Sequence, residues 1–301
     1  MRILVTGGAG FIGGHLVDFL QNNHKVTIYD DLSTSTQSIV DSLVKKGAKF
    51  VKADILDYDT LLQSSKGFDI MIHLAAKSDV TESVLHPEMV ENVNVNGTVN
   101  ALNCCIKHKI KKIIFASSAA VYEDSSIAVT ENSETKPLSP YGASKLLAEN
   151  KIKEMAENNL DYVILRIFNV YGKRQNKQYA GVISNFAENI SKDKPLVIYG
   201  DGLQTRDFVF IYDVINAFDA AVKTNSSGVY NIASGKSISV KELAQMFLDI
   251  TGKKVQIKFQ PAKKKDIRYS MADISKAEKE LGFSPKTNLR DGLTELIPVS
   301  N

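Results

Sequence analysis

Tyr141-Gly142-Ala143-Ser144-Lys145 sets a phenol and an ammonium four residues apart, on one face of a helix. A free tyrosine has a pKa of about 10 and is a poor base at neutral pH. A lysine cation beside it favours the phenolate, which makes Tyr141 a usable acid and base. The spacing by itself is cheap, because the chain holds 11 tyrosines and lysine is abundant. Its alternative is an ordinary amphipathic-helix surface. What raises it is the β-branched run 112–118, a strand ending in Ser117-Ser118, where a hydroxyl could face the same pocket. A serine pair at a strand end also suits a simple turn or cap, so it counts only in combination.

Val5-Thr6-Gly7-Gly8-Ala9-Gly10-Phe11-Ile12-Gly13 follows the first strand and opens the first helix, and Gly7, Gly10 and Gly13 form GxxGxxG. Glycine permits the tight turn, lets backbone amides approach a pyrophosphate and packs the helix closely on the sheet. The positive end of the helix then favours the phosphate charge. Asp30, at the end of the second strand, can bind both ribose hydroxyls and repels a 2′-phosphate, so the expected cofactor is NAD rather than NADP. In isolation Asp30-Asp31 also suits a solvated turn. Asp54-Ile55 falls just past the third strand, where an adenine edge would rest, with a turn or N-cap carboxylate as its alternative.

These residues need elements to hold them. Short apolar runs at 2–6, 25–29, 49–52, 70–74, 112–117 and 161–166 read as buried strands of a parallel sheet. Between them 13–21, 37–45, 58–64, 90–108 and 144–158 have helical spacing. Strand and helix in alternation mean a doubly wound, Rossmann-like α/β sheet. After Phe168 the pattern changes to helix 182–191, strand 196–199, helix 213–223, strand 229–232, and helices 240–251 and 274–281. The expected organisation is an NAD-binding Rossmann domain of residues 1–168 with a return segment 205–234. Residues 169–204 and 235–301 form a smaller mixed α/β lobe for the substrate.

The 301 residues are 44% hydrophobic and 24% charged, too apolar for a disordered chain and enough for a large core. A net charge of +3, spread along the chain, offers no basic arm for nucleic acid or membrane. Cys104 and Cys105 are adjacent, so they suggest neither a disulfide framework nor a metal site. No apolar run approaches bilayer length and the N-terminus lacks a signal-peptide core, which points to a cytoplasmic protein.

GxxGxxG, Asp30, Asp54-Ile55, His73-Leu74-Ala75-Ala76, Asn94-Val95-Asn96-Gly97-Thr98, Ser117-Ser118-Ala119-Ala120-Val121-Tyr122, Tyr141 with Lys145, and Arg166-Ile167-Phe168-Asn169-Val170-Tyr171-Gly172 occur in this order. The set spans essentially the whole chain. It resembles the extended short-chain dehydrogenase/reductases, and within them the NAD-dependent epimerase/dehydratase family that acts on nucleotide sugars. The likeness is greatest to members that epimerise UDP-glucose at C4. The resemblance implies that Ser118 hydrogen-bonds the sugar 4-oxygen, that Tyr141 is the base, and that Lys145 holds the nicotinamide ribose and lowers the tyrosine pKa. It assigns Gly7, Gly10, Phe11, Ile12 and Gly13 to the pyrophosphate. Asp30, Asp31, Asp54, Ile55, Leu74, Ala75, Ala76, Asn94, Ser117 and Phe168 go to the rest of the NAD site. On the substrate side it implies Asn169 and Arg206 at the diphosphate, with Asn185 and Asp266 in the nucleotide pocket.

Two positions depart from the family pattern. Lys263 stands where arginine usually grips the phosphates; lysine brings charge without the bidentate fork, and Arg268 is the residue that could compensate. Phe208 replaces a frequent tyrosine. Ser270 aligns with the residue that gates the sugar pocket, and its small side chain leaves room for a 2-acetamido group. The dehydratases carry an acidic pair just after the active-site hydroxyl, whereas Ala119-Ala120 can neither remove a C5 proton nor assist elimination. Epimerisation needs only Ser118, Tyr141 and Lys145. The expectation is therefore NAD-dependent 4-epimerisation of a UDP-hexose, glucose and galactose or their N-acetyl forms, through a transient 4-keto sugar. Its alternatives are another nucleotide-sugar epimerase, a reductase or a decarboxylase working on UDP-glucuronate or a dTDP-sugar, or an idle NAD-binding regulator. The resemblance also implies a homodimer built from helices 90–108 and 144–158.

Overall fold

The computed structural model of the chain describes residues 1–156, 160–175, 181–262 and 267–297. The chain opens with β1 (Arg2–Thr6), α1 (Phe11–Leu20), β2 (Lys25–Asp30), α2 (Gln37–Lys45), β3 (Lys49–Lys52), α3 (Tyr58–Ser64) and β4 (Ile70–His73). Two short helices follow, α4 (Val80–Leu85) and α5 (Pro87–Glu91), then a π-helical turn at Asn92–Asn96 and α6 (Gly97–His108). β5 (Lys112–Ser118) runs into a tight turn at Ala119–Val121, and α7 (Pro140–Met155) leads to β6 (Asp161–Ile167) and β7 (Asn169–Tyr171). The remainder holds α8 (Val182–Ser191), β8 (Leu196–Tyr199), β9 (Thr205–Phe210), α9 (Ile211–Lys223), β10 (Gly228–Ile232) and β11 (Ser237–Ser239). It ends with α10 (Val240–Thr251), β12 (Ile257–Gln260), α11 (Ser275–Leu281) and α12 (Leu289–Leu296).

Seven strands form one sheet in the order β10-β6-β5-β4-β1-β2-β3, every pair parallel. Successive residues of a strand point to opposite faces. Ile3 and Val5 of β1 therefore pack with Leu16, Val17, Val40 and Phe218 of α1, α2 and α9, while Leu4 packs with Leu61, Leu102 and Ile152 of α3, α6 and α7. Burial on both faces explains why these strands read as apolar runs. The strand order reverses between β1 and β4, which opens a crevice beyond the carboxyl ends of the strands. A three-stranded sheet, β11-β9-β7, and a two-stranded one, β12-β8, lie outside the large sheet. Of the expected return segment, β10 joins the large sheet and β9 the three-stranded one.

The Rossmann-like fold is as expected, but several elements differ. The expected helix 90–108 is interrupted by the π-turn, from which the Asn94 side chain reaches the Lys77 backbone. The helix expected at 144 starts at Pro140, because Ser139 accepts a hydrogen bond from the Gly142 amide and proline suits the first helical position. Tyr141 thus lies in the first turn of α7. Strands β7, β9, β11 and β12 and helices α4 and α12 lie outside the expected elements; β7 and β11 are three residues long.

Candidate active site

The loop between β1 and α1 is closed by contacts that only glycine permits. Gly7 has φ +68°, and a Cβ there would lie 2.6 Å from the Ala75 nitrogen, so glycine lets the segment after β4 press onto the loop. A Cβ on Gly13 would meet the Gly7 carbonyl at 2.1 Å, so α1 sits directly on its own loop. Asp30 ends β2 and is buried; its carboxylate accepts the Ala9 amide at 2.9 Å and the Leu32 amide at 2.8 Å. Burial pushes its pKa up, and those two amides draw it back down. Each oxygen keeps a lone pair for a further donor.

These residues wall a cavity of about 590 Å³. Its lining includes Gly7, Gly10, Phe11, Ile12, Gly13, Asp30, Asp31, Asp54, Ile55, Leu74, Ala75, Ala76, Ser117, Lys145 and Phe168. A glycine cradle at a helix N-terminus and a carboxylate at the next strand end fit a dinucleotide. A hydrogen-bonded chain behind the wall holds it in shape. The Thr98 hydroxyl donates to the Asn94 carbonyl, so His73 Nε2 donates to Thr98 at 3.0 Å and Nδ1 accepts from Thr6 at 2.7 Å. His73 is wholly buried, and burial, helped by the Lys145 charge, lowers its pKa to about 3, so it is neutral.

A second cavity of about 520 Å³ lies against the first, and Ser118, Tyr141 and Phe168 belong to the walls of both. Ser118 closes β5 and its hydroxyl accepts the Ala120 amide at 3.1 Å. Tyr141 is partly buried. Burial raises its pKa, and a hydrogen bond from Ser118 draws it back down. Lys145, one turn on, donates to the Ala116 carbonyl at 2.9 Å and stands 4.8 Å from the Phe115 ring centre. Burial lowers its pKa to about 7, with Glu149 opposing. Burial dominates both groups: the Tyr141 phenol moves up and the Lys145 ammonium moves down.

Other expected residues divide. Asn169, Arg206 and Ser270 line the second cavity. Asn94 stays behind the first cavity's wall, its amide bonded to both backbone groups of Lys77 and to the Ser144 hydroxyl. Asn185 is exposed on α8 and lines neither cavity. Lys263 and Asp266 lie outside the described residues. Arg268 does not line the second cavity; its guanidinium makes a two-point ion pair with Asp201, at 2.6 and 2.9 Å. Phe208 is buried, edge-on to Tyr171.

Three residues escaped the sequence reading. Asp124 accepts the Arg268 and Tyr269 amides and so clasps the segment bearing Ser270. Gln204 lines the second cavity with a buried Oε1 that has no partner among the described residues. No local pattern marks either. Glu149 had a signal, since it repeats the four-residue step from Tyr141 to Lys145.

Comparisons with known proteins agree with this geometry. A Thermotoga maritima UDP-glucose 4-epimerase with UDP-glucose superposes with a TM-score of 0.93 at 34% identity, covering 98% of this chain and 97% of that one. A UDP-N-acetylglucosamine 4-epimerase from Methanobrevibacter ruminantium M1, in complex with UDP-N-acetylmuramic acid, gives 0.93 at 36% over 98% and 96%. A Bacillus cereus UDP-glucuronic acid 4-epimerase with UDP-glucuronic acid and NAD gives 0.90 at 36% over 98% of each chain. Residues 3–233 match the sequence model of the NAD-dependent epimerase/dehydratase family, and the chain belongs to that family.

Proposed function

We propose that this chain epimerises UDP-hexoses at C4, interconverting UDP-glucose and UDP-galactose with NAD as its cofactor. The observation that carries this reading is the seat of Ser118 and Tyr141 in the wall shared by the two cavities, followed by Ala119 and Ala120 rather than acids. In this reading Gly7, Gly10, Phe11, Ile12 and Gly13 hold the pyrophosphate, Asp30 the adenosine ribose and Lys145 the nicotinamide ribose. NAD bound there would supply reversible two-electron oxidation at C4, through a transient 4-keto sugar, with the cofactor regenerated in each cycle. Tyr141 takes the proton of the 4-hydroxyl and returns it from the same position. The Ser118 hydroxyl steadies the 4-oxygen and the phenol together. Asn169 and Arg206 serve the diphosphate. Residues 1–168 with 205–234 make the cofactor part, and 169–204 with 235–301 the sugar-nucleotide part.

N-Acetylhexosamines are a second reading. It is favoured by Ser270, a small side chain on the same cavity wall as Ser118 and Tyr141. A homodimer fits the exposed apolar side chains Val84, Leu85 and Met89 of α4 and α5 and Leu147 of α7. A cytoplasmic location fits two buried, unpaired cysteines.

Proton NMR of the protein with UDP-glucose, UDP-galactose and their N-acetyl counterparts, with catalytic NAD, tests the proposal. Inversion at C4 without net NADH is expected. A 4-keto-6-deoxy product, or no turnover of any of the four, overturns it.

A further inference from the structure

The catalytic face of α7 continues past Lys145 to Glu149 and then Lys153. Glu149 is fully buried, with its carboxylate gripped from two strands. Arg166 of β6 donates Nε to Oε1 at 2.9 Å and Nη2 to Oε2 at 2.7 Å, and the Ser117 hydroxyl of β5 donates to Oε1 at 2.5 Å. Lys153 approaches Oε2 at 3.6 Å from the helix edge. Arg166 also donates Nη1 to the Tyr122 hydroxyl at 2.9 Å, and Tyr122 donates to Asn231 Oδ1 at 2.6 Å. Among the described residues, the charged or titratable groups facing Lys145 are Tyr141 and Glu149 on its own helix and neutral His73 from β4. Those facing Glu149 are Lys145, Lys153 and Arg166.

We propose that Glu149 is a positioning residue for the C4 reaction: clamped by Arg166 and Ser117, it keeps Lys145 a buried cation behind Tyr141 and so sets the pH range in which the pair works. The proposal rests on the reading of Tyr141 as the base. A buried ammonium bonded to one carbonyl and a ring face has lost most of its hydration, and a fixed anion one helical turn away restores part of it. The Ser117 hydroxyl then belongs to this clamp, although the residue also lines the cofactor cavity. A purely structural pair would stabilise the fold and leave Lys145 untouched; buried pairs of that kind are exchangeable for apolar residues.

The test is Glu149→Gln, with Lys145 titrated by heteronuclear NMR of isotope-labelled lysines in protein without substrate, its signal identified by loss in Lys145→Met. Lys145 is expected to release its proton about tenfold more readily, a shift of about one pH unit. The alkaline limb of the kcat profile should move to lower pH by the same amount, with KM unchanged. Should Glu149→Gln fold poorly, Glu149→Gln/Arg166→Met withdraws both charges at once, and the shift should keep its direction. An unmoved Lys145 titration in a folded variant, or a loss of activity equal at every pH, overturns the proposal. Failure of the epimerase reading would appear in the sugar assay alone and leave the lysine titration unchanged.

Discussion

At Tyr141 two opposing influences meet: burial disfavours the phenolate, and the Ser118 hydrogen bond favours it. The residue is thus held as a protonated phenol until a neighbouring positive charge tips it. Lys145, lowered to about 7, is itself near the point of losing that charge. Removing the phenol oxygen should therefore abolish the proton transfer and little else. Tyr141→Phe is expected to lower kcat about 10²–10⁴-fold while NAD affinity stays within about twofold. Steady-state turnover with equilibrium binding of NAD checks this, and near-normal turnover would remove Tyr141 from its role. The pair was legible in the sequence because a four-residue step is local geometry. Spacing alone left Ser118 as one hydroxyl of two, and the family resemblance singled it out. Which of Ser117 and Ser118 meets the phenol was decided by the register of β5, where alternate side chains point to opposite faces.

The position of α7 against the turn after β5 is the element-scale counterpart. A Cβ on Gly142 would lie 2.2 Å from the Ala120 carbonyl, so the first turn of α7 touches the backbone that follows Ser118. Gly142→Ala must push the two apart, and with them Tyr141 and Ser118. A displacement of about 1 Å at a reacting pair costs on the order of 10²-fold. Overpacking of this kind destabilises by about 1–3 kcal/mol. We expect kcat to fall about 10²-fold in Gly142→Ala with a lowered Tm. Gly14→Ala, whose Cβ would meet nothing nearer than 3.7 Å, should leave both unchanged. Equal kinetics for the two variants would contradict the coupling of α7 to the turn. This helix begins four residues before the expected 144, because Ser139 caps it and Pro140 suits its first position.

Across the whole molecule, the buried network makes stability depend on pH. His73 titrates at about 3 when folded, against 6.5 for the free side chain, so the unfolded chain binds the extra proton between those values. Its contribution is complete above 6.5 and is lost as the pH falls toward 3, at up to about 1.4 kcal/mol per pH unit. Asp30 and Asp207, both raised by burial, act in the opposite sense as they approach protonation. Tm should therefore drop between about pH 6.5 and 5, where His73 dominates. His73→Asn should flatten that slope while lowering Tm at neutral pH, since it breaks the Thr6 and Thr98 bonds. Calorimetry over this range checks it; an unchanged slope in the variant would assign the acid sensitivity elsewhere.

Features that depend on neighbouring residues are legible along the chain. The glycine loop, the carboxylate closing β2, the helical step from Tyr141 to Lys145 and the alternation of strand and helix are all local in chain and period. Which distant segments meet is set by the packing of the folded chain. It pressed Ala75 onto Gly7, turned Asn94 from the cavity to the Lys77 backbone, joined Glu149 to Arg166 and spent Arg268 on Asp201. It also built the β11-β9-β7 sheet by pairing two three-residue strands, too short to signal themselves, with β9. Burial, which raises Tyr141 and lowers Lys145, belongs to that second class: desolvation is set by everything packed around a group, and no spacing along the chain encodes it.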